Sequence, residues 1–337
     1  MQRWQIGIQR ELPLGFVGEA AYVGNRGLDI ERNINLNATP QQFLSTSPFR
    51  DTALETFLSG NVPNPFFGLL PNNTTIGQGQ NIIRERLLRP FPHFDAVNST
   101  VNDGASWYHS GQFNLQRRFS KGYTINLAYT WSKFMEAVDV LNASDPKPTK
   151  MISAFDTPHR VAASWIWELP FGRGKAFGDT SNPVASRILS GWQVSGIYAW
   201  QVGPPLNFGT NVIYLGGDVA LPKDQRTLNA WIDTSRFNRT SAVQPTGRNI
   251  RTFPFRFSNI RAQDVNNVDL SLFKNTAVTE TTRIQVRVDL INAFNRPWLL
   301  SGAAIQMNPT ASNFGQVTAG NQANYPRRVQ LMLKFLF

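Results

Sequence analysis

The last nine residues, Val329-Gln330-Leu331-Met332-Leu333-Lys334-Phe335-Leu336-Phe337, put an apolar side chain at every odd position and end on an aromatic. Successive side chains of a strand point to opposite faces, so this period of two predicts a strand with one continuously apolar face, the other carrying Gln330 and Lys334. About nine segments of the chain, each of roughly 8 to 13 residues, alternate in this way. The clearest is Tyr123 to Trp131, whose odd positions are large and apolar or aromatic and whose even positions are small or polar. It follows Trp107 to Phe119 across Ser120-Lys121-Gly122, a tight hairpin signal. Similar alternation runs through Trp4 to Ile8, Phe16 to Val23, His159 to Leu169, Gly191 to Val202, Asn267 to Lys274 and Arg283 to Leu290.

The connections alternate too. Pro13 to Gly15, Ser120 to Gly122 and Asn275 to Thr281 are short and Pro170 to Ser190 is intermediate, whereas the intervening connections run to about 80, 25, 60 and 30 residues. Short turns on one side and long loops on the other are the asymmetry of a transmembrane β-barrel. A soluble sandwich has no reason to keep that parity. The expected fold class is therefore all-β, an antiparallel up-and-down transmembrane barrel portion of about nine to ten strands, open or incomplete, with long extracellular loops and a periplasmic carboxyl terminus.

Trp and Tyr prefer the two interfaces of a bilayer and should cluster at strand ends. With this orientation Trp4, Trp107, Tyr108, Trp131 and Trp200 fall near the outer ends, and Tyr123, Trp165, Trp167 and Trp192 near the periplasmic ends. These nine form an expected aromatic girdle. Tyr123 and Trp131 lie eight residues apart on one strand; at about 3.3 Å per residue and about 40° of tilt this spans roughly 20 Å, near the height of an apolar band. The opposite faces give the expected lumen: Gln112, Asn114, Gln116, Asn126, Thr130, Arg160, Glu168, Gln193, Asp269, Arg283, Gln285, Arg287 and Asp289.

Composition narrows the alternatives. No stretch approaches the roughly 18 to 20 consecutive apolar residues of a spanning helix, so a membrane reading requires strands. The chain has no cysteine, which removes disulfides, thiolate metal sites and cysteine nucleophiles. The net charge of +11 comes from dispersed Lys and Arg without long runs, which argues against a nucleic-acid partner. Gly172-Arg173-Gly174-Lys175 lacks the Ser or Thr and the glycine spacing of a phosphate loop and reads as a glycine-rich turn. His93, His109 and His159 are too scattered to bind a metal, and an interface or lumen hydrogen bond is the expected role of His159. No catalytic residue, cofactor or metal site is expected. Met1-Gln2-Arg3-Trp4 opens directly into alternation, so no signal peptide is read there.

Several stretches resemble one known family. They are Leu127-Ala128-Tyr129-Thr130-Trp131-Ser132-Lys133, Phe155-Asp156-Thr157-Pro158-His159-Arg160, Glu168-Leu169-Pro170-Phe171-Gly172-Arg173-Gly174-Lys175, Gly191 to Gly196, Arg287 to Arg296, and Arg327 to Phe337. In order and spacing they resemble the carboxyl-terminal barrel of TonB-dependent outer-membrane receptors, in the Oar-like group whose amino-terminal part is carboxypeptidase regulatory-like. The resemblance covers residues from about 105 to the end. It implies that Phe337, with Phe335 as a weaker partner, is read by the barrel-assembly machinery. It also implies a cell outer membrane location, and contact with the TonB complex only through a plug that this chain does not match.

Residues 1–337 are thus expected to be the carboxyl-terminal part of such a barrel, with no plug domain and no signal peptide, as a fragment of a receptor for a bulky nutrient. A surface adhesion module without transport is the alternative. Residues 25–105 are expected to form one large extracellular loop, in which Arg84, Arg86 and Arg89 are available to pair with anionic groups of a ligand or of lipopolysaccharide.

Overall fold

The computed structural model describes residues 1–70, 72–73, 75–209, 211–299, 305–318 and 322–337. In chain order its strands are β1 (Gln2–Leu12), β2 (Phe16–Asn35), β3 (Asn61–Pro63), β4 (Asn81–Ile83), β5 (Asn98–Ser120), β6 (Tyr123–Ala137), β7 (Met151–Ile152), β8 (His159–Glu168), β9 (Trp192–Gln201), β10 (Pro205–Asn207), β11 (Arg256–Arg261), β12 (Val265–Ala277), β13 (Arg283–Ile291) and β14 (Arg328–Leu336). Three short helices join them, α1 (Thr52–Ser59), α2 (Arg84–Leu87) and α3 (Pro183–Leu189).

One antiparallel sheet of ten strands dominates, in the order β1-β2-β5-β6-β8-β9-β12-β13-β14, with β7 added beside β6. Each long strand pairs with the next long strand in the chain, the up-and-down order expected from the sequence. The wall is open: β1 and β14 are its two edges and do not pair with each other. The remaining pairs, β3–β4 and β10–β11, lie within long loops.

The short connections fall on one side. Lys121 (φ 52°) and Gly122 (φ 85°) make the β5–β6 turn with both central residues left-handed, the conformation whose twist matches that of the flanking strands. The β8–β9 connection is longer because it holds α3, which starts on Pro183 and is capped by Asn182 accepting from the Val184 and Ala185 amides. Four loops occupy the other side: 36–97, 138–158, 202–264 and 292–327, called loops 1 to 4 below.

Loop 1 is shorter than the expected 25–105, because β2 continues to Asn35 and β5 starts at Asn98. This extension carries no clean alternation, since both of its faces meet water. It is held instead by backbone pairing with register shifts at Gly27/Ile30 and Ile30/Arg32, and by a bidentate ion pair from Arg32 Nε and Nη2 to Asp103 at 2.5 and 2.8 Å. Loop 1 also has structure of its own, namely α1, α2 and the β3–β4 hairpin.

The apolar core does not sit on the wall. Ile6 and Leu331 are 73% and 74% exposed. The buried cluster lies in loops 3 and 4 and the strands beside them: Leu206, Phe208, Val212, Val219, Ile232, Phe237, Ile260, Ala262, Ile305 and Phe314. Phe208 is at its centre, with ring centroids 5.3 Å from Phe237 and 5.8 Å from Phe257.

Candidate functional site

Register assigns each wall residue to a face. Tyr123, Ile125, Leu127, Tyr129 and Trp131 of β6 pair with Trp167, Trp165, Ala163, Val161 and His159 of β8, all on one face. Following the pairs outward puts Trp4, Trp107, Trp192 and Trp200 on that same face. Tyr108 departs from the expected girdle. It pairs with Phe134 on the opposite face and meets that ring edge-on at 6.0 Å, because a neighbour of Trp107 in a strand points the other way. His159 stacks on Tyr129 and bonds its hydroxyl through Nδ1 at 2.8 Å, at the outer end of the girdle face.

Three of the tryptophans lie opposite a glycine, a feature that period-two reading does not register. Trp4 pairs with Gly24, Trp165 with Gly196 and Trp131 with Gly111. A Cβ on Gly24 or on Gly196 would lie 2.2 Å from the facing indole, so the ring rests on bare backbone. Glycine here is a seat for the ring, the pairing that rescues an otherwise weak strand position. Arg117 is one of several cations on this face, with Arg10, Arg26, Lys133 and Lys274, and lies at the end of β5 nearest the short turns. Its guanidinium lies 3.8 Å from the Tyr123 ring centroid and 5.7 Å from that of Phe16, shielded by both.

The opposite face gathers Gln112, Asn114, Gln116, Asn126, Thr130, Arg160, Glu168, Gln193, Asp269, Arg283, Gln285, Arg287 and Asp289 through the same registers. Part of it is a connected polar lattice. Arg287 Nε donates to Asp289 Oδ1 at 2.7 Å, Ser271 donates to the same carboxylate, and the Arg287 guanidinium covers the Phe273 ring. Gln193 and Lys175 both reach Glu168, at 3.3 and 3.4 Å. Asp269 accepts from the Asn292 amide at 2.8 Å, tying the wall to the start of loop 4.

Above the wall the four loops are fastened into one cap, largely through residues the sequence did not single out. Arg248 of loop 3 reaches Glu55 at 2.5 Å and Glu85 at 2.9 Å in loop 1. Burial works against its charge, but its hydrogen bonds to Glu55 and Glu85 outweigh this and hold it above the ordinary arginine value. Asn249 donates to the carbonyls of Ser47 and Phe49, and Asn142 of loop 2 bonds both ways with the Arg251 backbone. Arg261 pairs with fully buried Asp156 at 2.5 Å, and Arg256 with Glu136 at 2.7 Å. Arg239 joins loop 3 to loop 4 through the carbonyls of Pro309 and Ala311. Arg251 lies between the Phe253 and Phe255 rings, where burial pushes it down to about 10.

The three arginines expected to meet a ligand divide. Arg84 donates to the Phe57 carbonyl and lies over the Phe57 ring, and Arg86 pairs with Asp95. Arg89 lines a cavity of about 630 Å³ whose walls come from loops 1, 2 and 3. Its Nε is buried and has no hydrogen-bond partner among the described residues, and Ser144 Oγ on the same wall is in the same state. A second cavity of about 600 Å³ shares Asn35, Ala38, Ala143 and Ser144 with the first. Among the described residues no group of three or more acidic or histidine side chains is placed to hold a metal ion.

The sequence of residues 1–330 matches the model of a family described as outer membrane beta barrel domain. The chain belongs to that family. The wall is therefore a barrel wall and the protein an outer-membrane one, so its girdle face meets lipid and its exposed Ile6 and Leu331 are solvated by acyl chains. No curated protein matches this barrel domain. Among solved structures it is similar to the outer membrane transporter YddB of Escherichia coli, with 11% identity and a TM-score of 0.39 over 99% of this chain and 32% of that one. It is also similar to FpvA of P. aeruginosa, in a complex with iron and a heterologous pyoverdine, with 11% identity and a TM-score of 0.41 over 99% of this chain and 26% of that one. The barrel domain thus spans about a third or less of the length of the chains it matches.

Proposed function

We propose that this barrel domain is the carboxyl-terminal wall of a TonB-dependent receptor that takes up a bulky nutrient, in the Oar-like group whose motifs it resembles. The observation that carries this reading is the open wall. Eight strands suffice for a barrel that its own side chains or one small ligand fill, yet here nine long strands follow an arc whose edges do not meet. Unpaired edges are not tolerated against lipid, so further strands complete the circle and the lumen is wide. The polar inner face and the cavity beside Arg89 suit a solute that pauses under the loops before passing inward. In this reading a plug elsewhere in the full-length receptor couples the barrel to the TonB complex. Phe337, with Phe335 behind it, is the signal for the barrel-assembly machinery, and it is fully exposed at the end of β14.

The test is uptake. Cells lacking the full-length protein should leave in the medium a nutrient that the parent strain removes, and cells lacking the inner-membrane energy-coupling complex should leave the same one. Unchanged uptake together with lost surface attachment would favour the adhesion reading instead.

A further inference from the structure

A groove of about 590 Å³ lies at the outer ends of β9 and β12, away from the loop cavities. Its floor contains Trp200 and Asn266, register partners on the lipid-facing side of the wall, so the groove opens toward the membrane and not into the lumen. Two more tryptophans, Trp231 and Trp298, line it, with three cations, Lys223, Arg226 and Arg296, and one acid, Asp264. Asp264 is already occupied, accepting from the Gly203 amide at 3.1 Å and holding Lys223 at 3.3 Å. Arg226 uses only Nε, on the Leu221 carbonyl at 2.8 Å, and the Arg296 guanidinium has no hydrogen-bond partner among the described residues. Directly below, the lipid-facing positions Tyr198, Val268 and Leu270 continue the wall as an apolar strip.

We infer that this groove binds the phosphorylated sugar headgroup of a lipopolysaccharide molecule in the outer leaflet. The ligand must carry negative charge, because the lining is cationic and its one carboxylate is spent. It must carry acyl chains, because the groove runs onto the apolar band at girdle height. Three tryptophans lining one groove suit the apolar C–H surfaces of sugar rings better than the small glycerol of a phospholipid. The phosphates then lie on Arg226 and Arg296, bidentate geometry that guanidinium supplies and ammonium does not. This inference rests on the loops facing out of the cell and not on transport, so a failed uptake experiment leaves it standing.

The experiment uses the full-length protein extracted from outer membranes in mild detergent, with lipid A measured per mole of protein by mass spectrometry. Wild-type protein should retain lipid A. Replacing both Arg226→Gln and Arg296→Gln should reduce retention by about fivefold per cation removed. The double variant Arg173→Gln with Arg187→Gln, which removes equal charge on the opposite side of the membrane, should retain the wild-type amount. Equal retention in all three proteins, or an equal loss in both variants, overturns the inference. A second reading that does not depend on the folding of the groove variant comes from wild-type protein in phosphatidylethanolamine nanodiscs. Bisphosphorylated lipid A should quench its tryptophan fluorescence at lower concentration than dephosphorylated lipid A or phosphatidylglycerol does, and equal potency of either comparator overturns the inference.

Discussion

Leu331 in β14 is 74% exposed and Phe208 in loop 3 is fully buried, yet each is where its surroundings require it to be. The wall turns its apolar side chains outward, because its solvent on that side is acyl chain and hydrophobic burial within the protein is not needed. The loop cap faces water and buries its apolar groups as a soluble domain does, around Phe208, Phe237 and Phe314. One chain therefore follows two sets of rules, and the boundary between them is the girdle.

Phe208→Ala should produce the largest effect and act only on the cap. Deleting a buried phenylalanine costs about 3–5 kcal/mol, so the loops should become sensitive to protease while the wall keeps its heat-modifiable migration. Simultaneous loss of both would mean that cap and wall are one cooperative unit. Leu331→Arg should do the reverse. A cation placed at mid-depth against lipid costs about 2–4 kcal/mol, and the yield of inserted protein should fall while Gln330→Arg on the opposite face is accepted. Equal insertion of both variants would contradict the assignment of faces.

Gly196→Ala probes the girdle itself. The new Cβ would lie 2.2 Å from Trp165, so the indole must shift, at a cost of about 1–3 kcal/mol read as a lower temperature of heat modification. Gly209→Ala, with open space around it, is the control that should change nothing. The smallest effect is expected from acid. Ser235 donates through its hydroxyl and its amide to Asp233, and with help from Arg236 this holds the carboxyl below its ordinary 3.8. A depressed carboxylate stabilises the fold above its unfolded value and ceases to do so as pH falls through the folded one. Protease resistance of loop 3 should thus weaken slightly below about pH 4, and Asp233→Asn should remove that dependence.

The two regions also differ in how far they can be read from sequence. Strand order, turn parity and the faces of residues such as Asp269 and Arg287 follow from a period of two, because lipid on one side and water on the other imprint it on every strand. Trp107 and Tyr108 show where this stops, since position near a strand end does not fix a face and only register does. The Gly24 and Gly196 seats were illegible for a related reason: a glycine is informative only once its partner strand is known. In the cap the partners are further away still. Arg248 and Glu55 are 193 residues apart in sequence, and nothing local to either announces the other. Arg84, Arg86 and Arg89 look alike in sequence, and only the folded loop separates the two that are spent from the one that lines a cavity.

The fastening of loop 1 to loop 3 has a mechanical consequence. Loop 1 springs from β2 and β5, loop 3 from β9 and β12, and the strands between them form the middle of the arc. A tie between two points on a bent strip is a bowstring. Arg248 with Glu55 and Glu85, and Asn249 with the Ser47 and Phe49 carbonyls, set the length of that string. Strand number and register fix the radius of a closed barrel, so the string governs how the loops close over the lumen, and cutting it should free loop 1 from loop 3 without widening the pore.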